Sequence, residues 1–144
     1  MNKDLELIEN SLAIIDGRHK DIAHALFERY IESHPQFADA FINPDAARDR
    51  MTNETIDALI GTARGDWWVD STVINFVDLH HNYDDFSPED YSEWFTLVIQ
   101  TMANFAGNDW PKGASAAWHR QAYTLVEKIA EIRRNDEVPL RKTN

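Results

Sequence analysis

The fold is decided by the stretch Val77-Asp78-Leu79-His80-His81-Asn82-Tyr83-Asp84-Asp85-Phe86-Ser87-Pro88-Glu89-Asp90-Tyr91, in which one helix ends and another begins. The segment Ser87-Pro88-Glu89-Asp90 is typical of a helix start, because serine caps free backbone N–H groups, proline suits the first helical position and acids complement the helix dipole. His80-His81 lies at the end of the preceding helix. Adjacent helical residues point about 100° apart, so at most one of the two histidines faces a given pocket. That histidine is the best candidate for a functional side chain.

Helical patterns continue on both sides of this stretch, since apolar residues recur at steps of three and four. Downstream, a helix beginning near Tyr91 is expected to stop at Gly107-Asn108, and a last helix is expected from about Ser115 to Arg134. Upstream, the expected features are a helix ending at Asp16-Gly17, a second ending at Ser33-His34-Pro35, a short helical turn from Pro35 to Phe41, a turn-rich segment from Ile42 to Arg50, a helix from about Met51 to Ala63, and a helix capped by Ser71 that ends around Asn82.

These elements predict an all-α fold of six to eight helices, with connections too irregular for a simple four-helix bundle. The length of 144 residues fits one domain, 1–144, with its core at about 5–134 and a polar tail at 135–144. Trp67 and Trp68 fall in a connection and are expected to cover the core beneath it, because large aromatic side chains contribute most there.

Composition restricts the classes of function. The 14 basic and 25 acidic residues give a formal net charge of -11, which repels nucleic acid and anionic membrane surfaces. No stretch is apolar enough to span a bilayer, and the N-terminus does not resemble a signal peptide, so a cytoplasmic protein is expected. The absence of cysteine excludes disulfides, zinc-thiolate sites and a thioether-linked haem.

Other chemistry is weak on the residues alone. A lone histidine at a helix end is more often a surface or structural residue than a ligand, and no third or fourth ligand stands at a zinc-site spacing. The acids between Asp84 and Asp90 lack the alternating ligand pattern of a calcium loop.

Three groups of residues, however, occur together in a familiar order. The first is Leu26-Phe27-Glu28-Arg29-Tyr30-Ile31-Glu32-Ser33-His34-Pro35, followed six residues later by Phe41. The second is His81 with Tyr91 ten residues on, and the third is Trp118 with Ala122-Tyr123 in the last helix. Together they resemble the globins, in particular the bacterial single-domain haemoglobins and the globin domains of flavohaemoglobins, over about Leu5 to Ile132.

The resemblance implies a globin-like fold around a haem-sized pocket that holds haem b noncovalently, with His81 as the metal ligand. Phe41 would pack on the porphyrin, and Tyr91 would orient the imidazole of His81. Gln121 is the nearest match to a last-helix residue that reaches the proximal histidine, where the family has a glutamate. The other pocket residues that the resemblance implies are Phe27, Met51, Thr55, Val77 and Phe86.

The opposite wall of the pocket departs from the family. The position of the family's ligand-binding tyrosine is occupied here by Phe27, and that of its distal glutamine by Met51. Neither Phe27 nor Met51 can donate a hydrogen bond to O2. A register shift of one residue puts Arg50 or Thr52 in place of Met51.

The expected function is therefore that of a haem-binding globin that binds a diatomic gas, O2 or rather NO or CO. Redox or NO-detoxifying chemistry would need a separate reductase, because a globin fills the 144 residues; whether the protein is an enzyme stays open. In one variant the sulfur of Met51 is the second axial ligand of the iron, which suits electron transfer. The alternative from another class is a haem-free globin-fold sensory or protein-interaction domain, in which Phe27, Met51 and Val77 close the cavity.

Overall fold

The protein is all-α in the computed structural model, which describes residues 2–38, 44–81 and 86–142, without the side chains of residues 44, 45, 81 and 136–142. The six helices of these ranges are α1 (Lys3–Ile14), α2 (His19–Ser33), α3 (Pro44–Arg64), α4 (Val69–His81), α5 (Pro88–Ala106) and α6 (Ala114–Lys142). Short 3-10 turns follow α2 at Pro35–Phe37 and α5 at Gly107–Asp109. None of the described helices is long and apolar enough to cross a membrane.

The last helix, α6, is the centre of the packing. It contacts α1, α3, α4 and α5, while α2 packs on α3 and α5. Trp118 of α6 is fully buried, and its indole N–H donates a hydrogen bond of 2.9 Å to the hydroxyl of Ser11 in α1. Because large aromatic side chains bury the most apolar area, Trp118 ties the first and last helices into one core.

Several helix ends agree with the sequence analysis. Ser87 accepts a hydrogen bond from the backbone N–H of Asp90, and the carboxylate of Asp90 accepts one from the N–H of Ser87, so α5 begins with a reciprocal capping box. Gly107 caps the end of the fifth helix with φ of 58°, and Gly17, three residues after the first helix, has φ of 81°; a side chain would be strained at either position.

Three boundaries differ from the predictions. The segment expected to be turn-rich is largely helical, since α3 begins at Pro44, a residue suited to the first helical position. Ser71 is not a cap, because α4 begins two residues earlier, at Val69. The last helix was predicted to end near Arg134 but continues to Lys142, so the tail from Asn135 is mostly helical.

The two tryptophans of the α3–α4 connection have different environments. Trp68 is partly buried and packs on the core, as predicted. Trp67 is 87 % exposed, so the prediction that it covers the core is wrong. Only one of two consecutive residues in this short connection is directed at the core.

Candidate functional site

A cavity of about 110 Å³ lies between α3, α4 and α5, beside the end of α2, and is partly open to solvent. Half of the twelve lining residues are phenylalanine, tyrosine or tryptophan, and the others include one histidine from α4, one methionine from α3 and three charged residues. The lining residues are Tyr30, Phe37, Arg50, Met51, Glu54, Phe76, Leu79, His80, Phe86, Asp90, Tyr91 and Trp94.

His80 is the lining side chain best suited to bind a metal centre. Its Nδ1 lies 2.7 Å from the backbone carbonyl oxygen of Phe76, one turn earlier in α4. A carbonyl oxygen only accepts, so Nδ1 carries the proton and donates it, and the lone pair stays on Nε2. Burial lowers the pKa of His80 below its ordinary value, against the smaller opposing effects of the Phe76 carbonyl and the Glu54 carboxylate. At neutral pH the imidazole is therefore neutral, which is the form that binds metals.

Of the two histidines of α4, only His80 has a described side chain. Because at most one of the two faces a given pocket, the choice of His81 implied that His80 points away from it, yet the ring of His80 lines this cavity. His81 is the last residue of α4, and its side chain lies outside the described part of the chain. Its assignment as the iron ligand stays a prediction.

Three aromatic rings surround the imidazole of His80. The ring centroids of Phe76, Phe86 and Tyr91 lie 4.4, 5.7 and 6.0 Å from it. Burial also raises the pKa of Tyr91 to about 12, so this phenol is neutral. Tyr91 and Phe86 thus line the cavity, and the proton on Nδ1 of His80 is held by the carbonyl of Phe76.

The part of the wall formed by Met51 and Trp94 is built on a hydrogen-bonded chain of three residues. The indole Nε1 of Trp94 donates to the hydroxyl of Thr55 at 3.0 Å, and that hydroxyl donates to the backbone carbonyl of Met51 at 2.8 Å. Thr55 and Phe27 lie behind this wall: both are buried, and Phe27 meets Trp94 edge-on with ring centroids 5.4 Å apart. The indole N–H and the threonine hydroxyl are both engaged and strengthen the wall.

The lining of the cavity shows which residues of α3 face it. Met51 and Arg50 both line it, whereas Thr52 is fully buried and does not. Of the three residues considered for this position, Met51 and Arg50 are therefore the two that face the cavity.

Other residues singled out from the sequence lie elsewhere. The amide of Gln121 donates to the carboxylate of Asp4 at 3.2 Å, so Gln121 contacts α1 and not the end of α4. From α6 it is Arg133 that approaches the site, by donating a hydrogen bond to the carbonyl of Phe86. Val77 is buried in the core without lining the cavity. Phe41 lies outside the described residues.

Trp94, Tyr30 and Phe76 were not identified as site residues from the sequence. Each belongs to an apolar stripe at helical spacing, as Trp94 does with Tyr91 and Phe95. Such a stripe shows which face of a helix is buried, but it does not distinguish a residue of solid core from one that borders a cavity.

Among the described residues, no group of three or more histidine or acidic side chains is arranged to hold a metal ion. Comparison with known proteins identifies no relative: no family model, no curated protein and no solved structure matches this chain.

Proposed function

We propose that this chain has a globin-like fold, binds haem b noncovalently in the cavity between α3, α4 and α5, and through it binds a diatomic gas. The resemblance of the three residue groups to globins is one support. The observation that carries the proposal is His80, a neutral imidazole with its proton on Nδ1 and its lone pair on Nε2, inside an aromatic cavity.

The donor set fits a haem. Histidines that bind metals usually donate their other ring N–H to a carbonyl or carboxylate, as His80 does to Phe76. Because a porphyrin supplies the in-plane nitrogens, one histidine from the protein is enough to hold the iron. The flat rings of Phe76, Phe86 and Tyr91 offer the apolar contact that a porphyrin needs.

The cavity is smaller than a typical ligand pocket, so it would have to widen to hold a haem. Ligand pockets measure about 300–1,000 Å³, and this cavity measures about 110 Å³. Phe37 and Phe86, which are only partly buried and lie 5.7 Å apart between ring centroids, are the side chains whose movement would widen it. Haem binding thus involves a rearrangement of this pair.

The histidine on the iron would be His80 or His81. The resemblance favours His81, and the position of His80 in the cavity favours His80. Since adjacent helical residues point about 100° apart, a rotation of the end of α4 by about 100° exchanges them, but both cannot bind together. Met51 would lie across the cavity from this ligand.

When bound, the haem supplies an iron site for a gas ligand. Met51 has no donor, and the indole of Trp94 and the hydroxyl of Thr55 are already engaged. With Met51 against the gas, this wall favours NO or CO over O2, because O2 depends more on a hydrogen bond. Arg50 also lines the cavity, and a guanidinium that reached the gas would donate that bond and favour O2 instead. Redox turnover would draw its electrons from a separate reductase.

A haem titration tests the proposal. Haemin is added to the purified chain, and the Soret band is followed for the wild type, His80→Ala, His81→Ala and the control His119→Ala, which removes an exposed histidine of α6. We expect saturation at one haem per chain, unchanged by His119→Ala and strongly reduced or shifted by one of the two α4 variants. That variant identifies the ligand.

Two further readings come from the same samples. The first is whether the haem-loaded protein shows a six-coordinate spectrum without added ligand. If it does, and Met51→Leu abolishes that spectrum, the sulfur of Met51 binds the iron. CO and O2 added to the reduced protein rank the gases. If no saturable Soret band forms, or if neither His80→Ala nor His81→Ala alters it, the haem proposal is overturned.

A haem-free globin-fold sensory or interaction domain is the second candidate, favoured by the small volume of the cavity. Trp94 is 6 % exposed and fills space behind Met51, with its N–H already bonded. This candidate predicts the outcome without a Soret band, and a protein whose melting temperature does not change on addition of haemin.

A further inference from the structure

A second depression, a groove on the surface between α3 and α4, lies beside the cavity. It has a volume of about 520 Å³ and begins at Trp68, in the connection between these helices. Glu54, Phe76 and Leu79 border both this groove and the cavity. The lining residues are Glu54, Asp57, Ile60, Arg64, Trp68, Thr72, Asn75, Phe76 and Leu79. From Glu54 to Arg64 the groove follows α3 for about 15 Å, at the helical rise of about 1.5 Å per residue.

Large apolar side chains are exposed along the groove. Leu79, which lines the groove from α4, is 48 % exposed. Trp67, the residue before the lining residue Trp68, is 87 % exposed. Ile60, Trp68 and Phe76 are partly buried beneath. Tryptophan is among the residues that contribute most to protein interfaces. An apolar floor of this length, with an exposed tryptophan one residue before the lining residue Trp68, suits a surface that receives a helix.

The α3 side of the groove is negatively charged. Glu54 and Asp57 are both exposed, and within the described ranges neither carboxylate is held in an ion pair. The one cation of the lining, Arg64, has its guanidinium 3.5 Å from Glu9 of α1. The free charge of the groove is therefore acidic, in a chain whose net charge is -11.

We propose that the α3–α4 groove docks a basic amphipathic helix of a partner protein. Its apolar face would cover Leu79, Ile60 and Trp67, and its lysines or arginines would meet Glu54 and Asp57. This inference goes beyond the proposed function and does not require haem. Charge complementarity decides the occupant: a second copy of this chain would bring another -11 charges to the same acidic rim, and a basic helix removes that repulsion.

A synthetic peptide tests the docking surface. The probe is a fluorescein-labelled helix of about 18 residues, long enough to follow the groove, with leucine and alanine on one face and lysine on the other. Its counterpart has glutamate for every lysine. Fluorescence anisotropy is measured with the purified chain, without added haem, at about 0.15 M salt, where charges beyond about 8 Å are screened.

Two variants alter the groove, and each has a matched control. Asp57→Lys reverses a charge in the groove, and Glu6→Lys makes the same change in net charge on an exposed position of α1. Trp67→Ala removes the exposed indole, and Tyr123→Ala removes a 66 % exposed aromatic side chain of α6. All four positions are exposed, so folding is preserved, and a thermal melt of each variant checks this.

We expect saturable binding of the lysine peptide and none of the glutamate peptide. Trp67→Ala should weaken the binding about tenfold and Asp57→Lys about three- to fivefold, while both controls stay within about twofold of the wild type. Equal binding of the two peptides would overturn the proposal. So would an equal effect of Glu6→Lys and Asp57→Lys, which would mean diffuse attraction to an acidic chain. The oligomeric state is followed by size-exclusion chromatography. If the wild type is a dimer that Trp67→Ala dissociates without changing peptide binding, the groove belongs to a second copy and the proposal is overturned.

Discussion

The indole of Trp94 in α5 donates a hydrogen bond of 3.0 Å to the hydroxyl of Thr55 in α3, 39 positions away in the chain. Both side chains are almost fully buried, at 6 % and 2 % exposure. Since Thr55 donates in turn to the carbonyl of Met51, each donor of this chain has an acceptor behind the cavity wall. The bond joins two helices that have few other direct contacts with each other.

Replacing Thr55 by valine should destabilise the protein by about 1–3 kcal/mol, because the buried N–H of Trp94 loses its acceptor. Urea unfolding followed by circular dichroism measures this change. The control, Thr55→Ser, keeps the hydroxyl and loses only a methyl group. If the valine variant is as stable as the serine variant, the hydrogen bond does not contribute as stated.

Stability should fall in acid partly through His80. Burial lowers the folded-state pKa of His80 below its ordinary value of 6.5, so the unfolded chain binds the proton more readily. The contribution of the neutral imidazole is fully present above 6.5 and is lost as the pH falls from there through the lower folded-state pKa. The free energy of unfolding of the wild type should therefore decrease more steeply than that of His80→Phe between about pH 7 and about pH 5.

The matched control for this experiment is His119→Gln, which removes an exposed histidine of α6. The steep part of the wild-type curve should persist in it. Parallel curves for the wild type and His80→Phe would contradict the assignment of the slope to His80.

Gly61→Ala should destabilise the α3–α4 corner by about 1–3 kcal/mol, the usual cost of overpacking. A Cβ at Gly61 would lie 2.7 and 2.8 Å from two ring carbons of Trp68 and 2.8 Å from a methyl group of Val69. Trp68→Phe removes both ring carbons, so the double variant should be less destabilised than the sum of the two single changes. Additive losses in urea unfolding would show that the close approach is relieved elsewhere.

The ion pair between α1 and α6 should make stability depend on pH in a second, more acidic range. Arg120 donates to both carboxylate oxygens of Asp4, at 2.8 and 2.7 Å, and this hydrogen bonding lowers the pKa of Asp4 below its ordinary value of 3.8. The contribution is present above 3.8 and is lost as the pH falls through the lower folded-state value. Asp4→Asn should therefore be less stable than the wild type at neutral pH, by a margin that shrinks in acid and in high salt.

Asp21→Asn is the comparison for that pair, because Asp21 meets Arg18 only at 3.6 Å and at an exposed position. It should change the unfolding curve less than Asp4→Asn. A margin for Asp4→Asn that stays constant from neutral pH into acid would contradict the role given to the carboxylate.

Local signals predicted much of the fold. The capping serine and proline before α5 and the glycines after α1 and α5 act through a few neighbouring backbone groups, so they can be read from adjacent residues. The start of α3 was placed wrongly because Pro44 suits both a turn and the first position of a helix. Trp67 and Trp68 were treated alike, since only the path of the chain around the corner decides which one meets the core.

The site was harder to predict for a geometric reason. His80 follows Phe76 by four residues and Val77 by three, while His81 follows Val77 by four, so both histidines continue an apolar stripe. A difference of about 100° in the rotation of α4 then selects one of them, and that rotation depends on how α4 packs on α6. Gln121 and Arg133 show the same limit, because the helix spacing places neither of them against a particular partner.

The bond between Trp118 and Ser11 joins positions 107 residues apart. At a synthesis rate of about 5–20 residues per second, the ribosome would need about 5–20 s to make the chain between them. During that interval the apolar face of α1, including the fully buried Ile8, has none of its contacts with α6. The N-terminal helix therefore keeps this apolar face without its partner helix until synthesis is nearly finished.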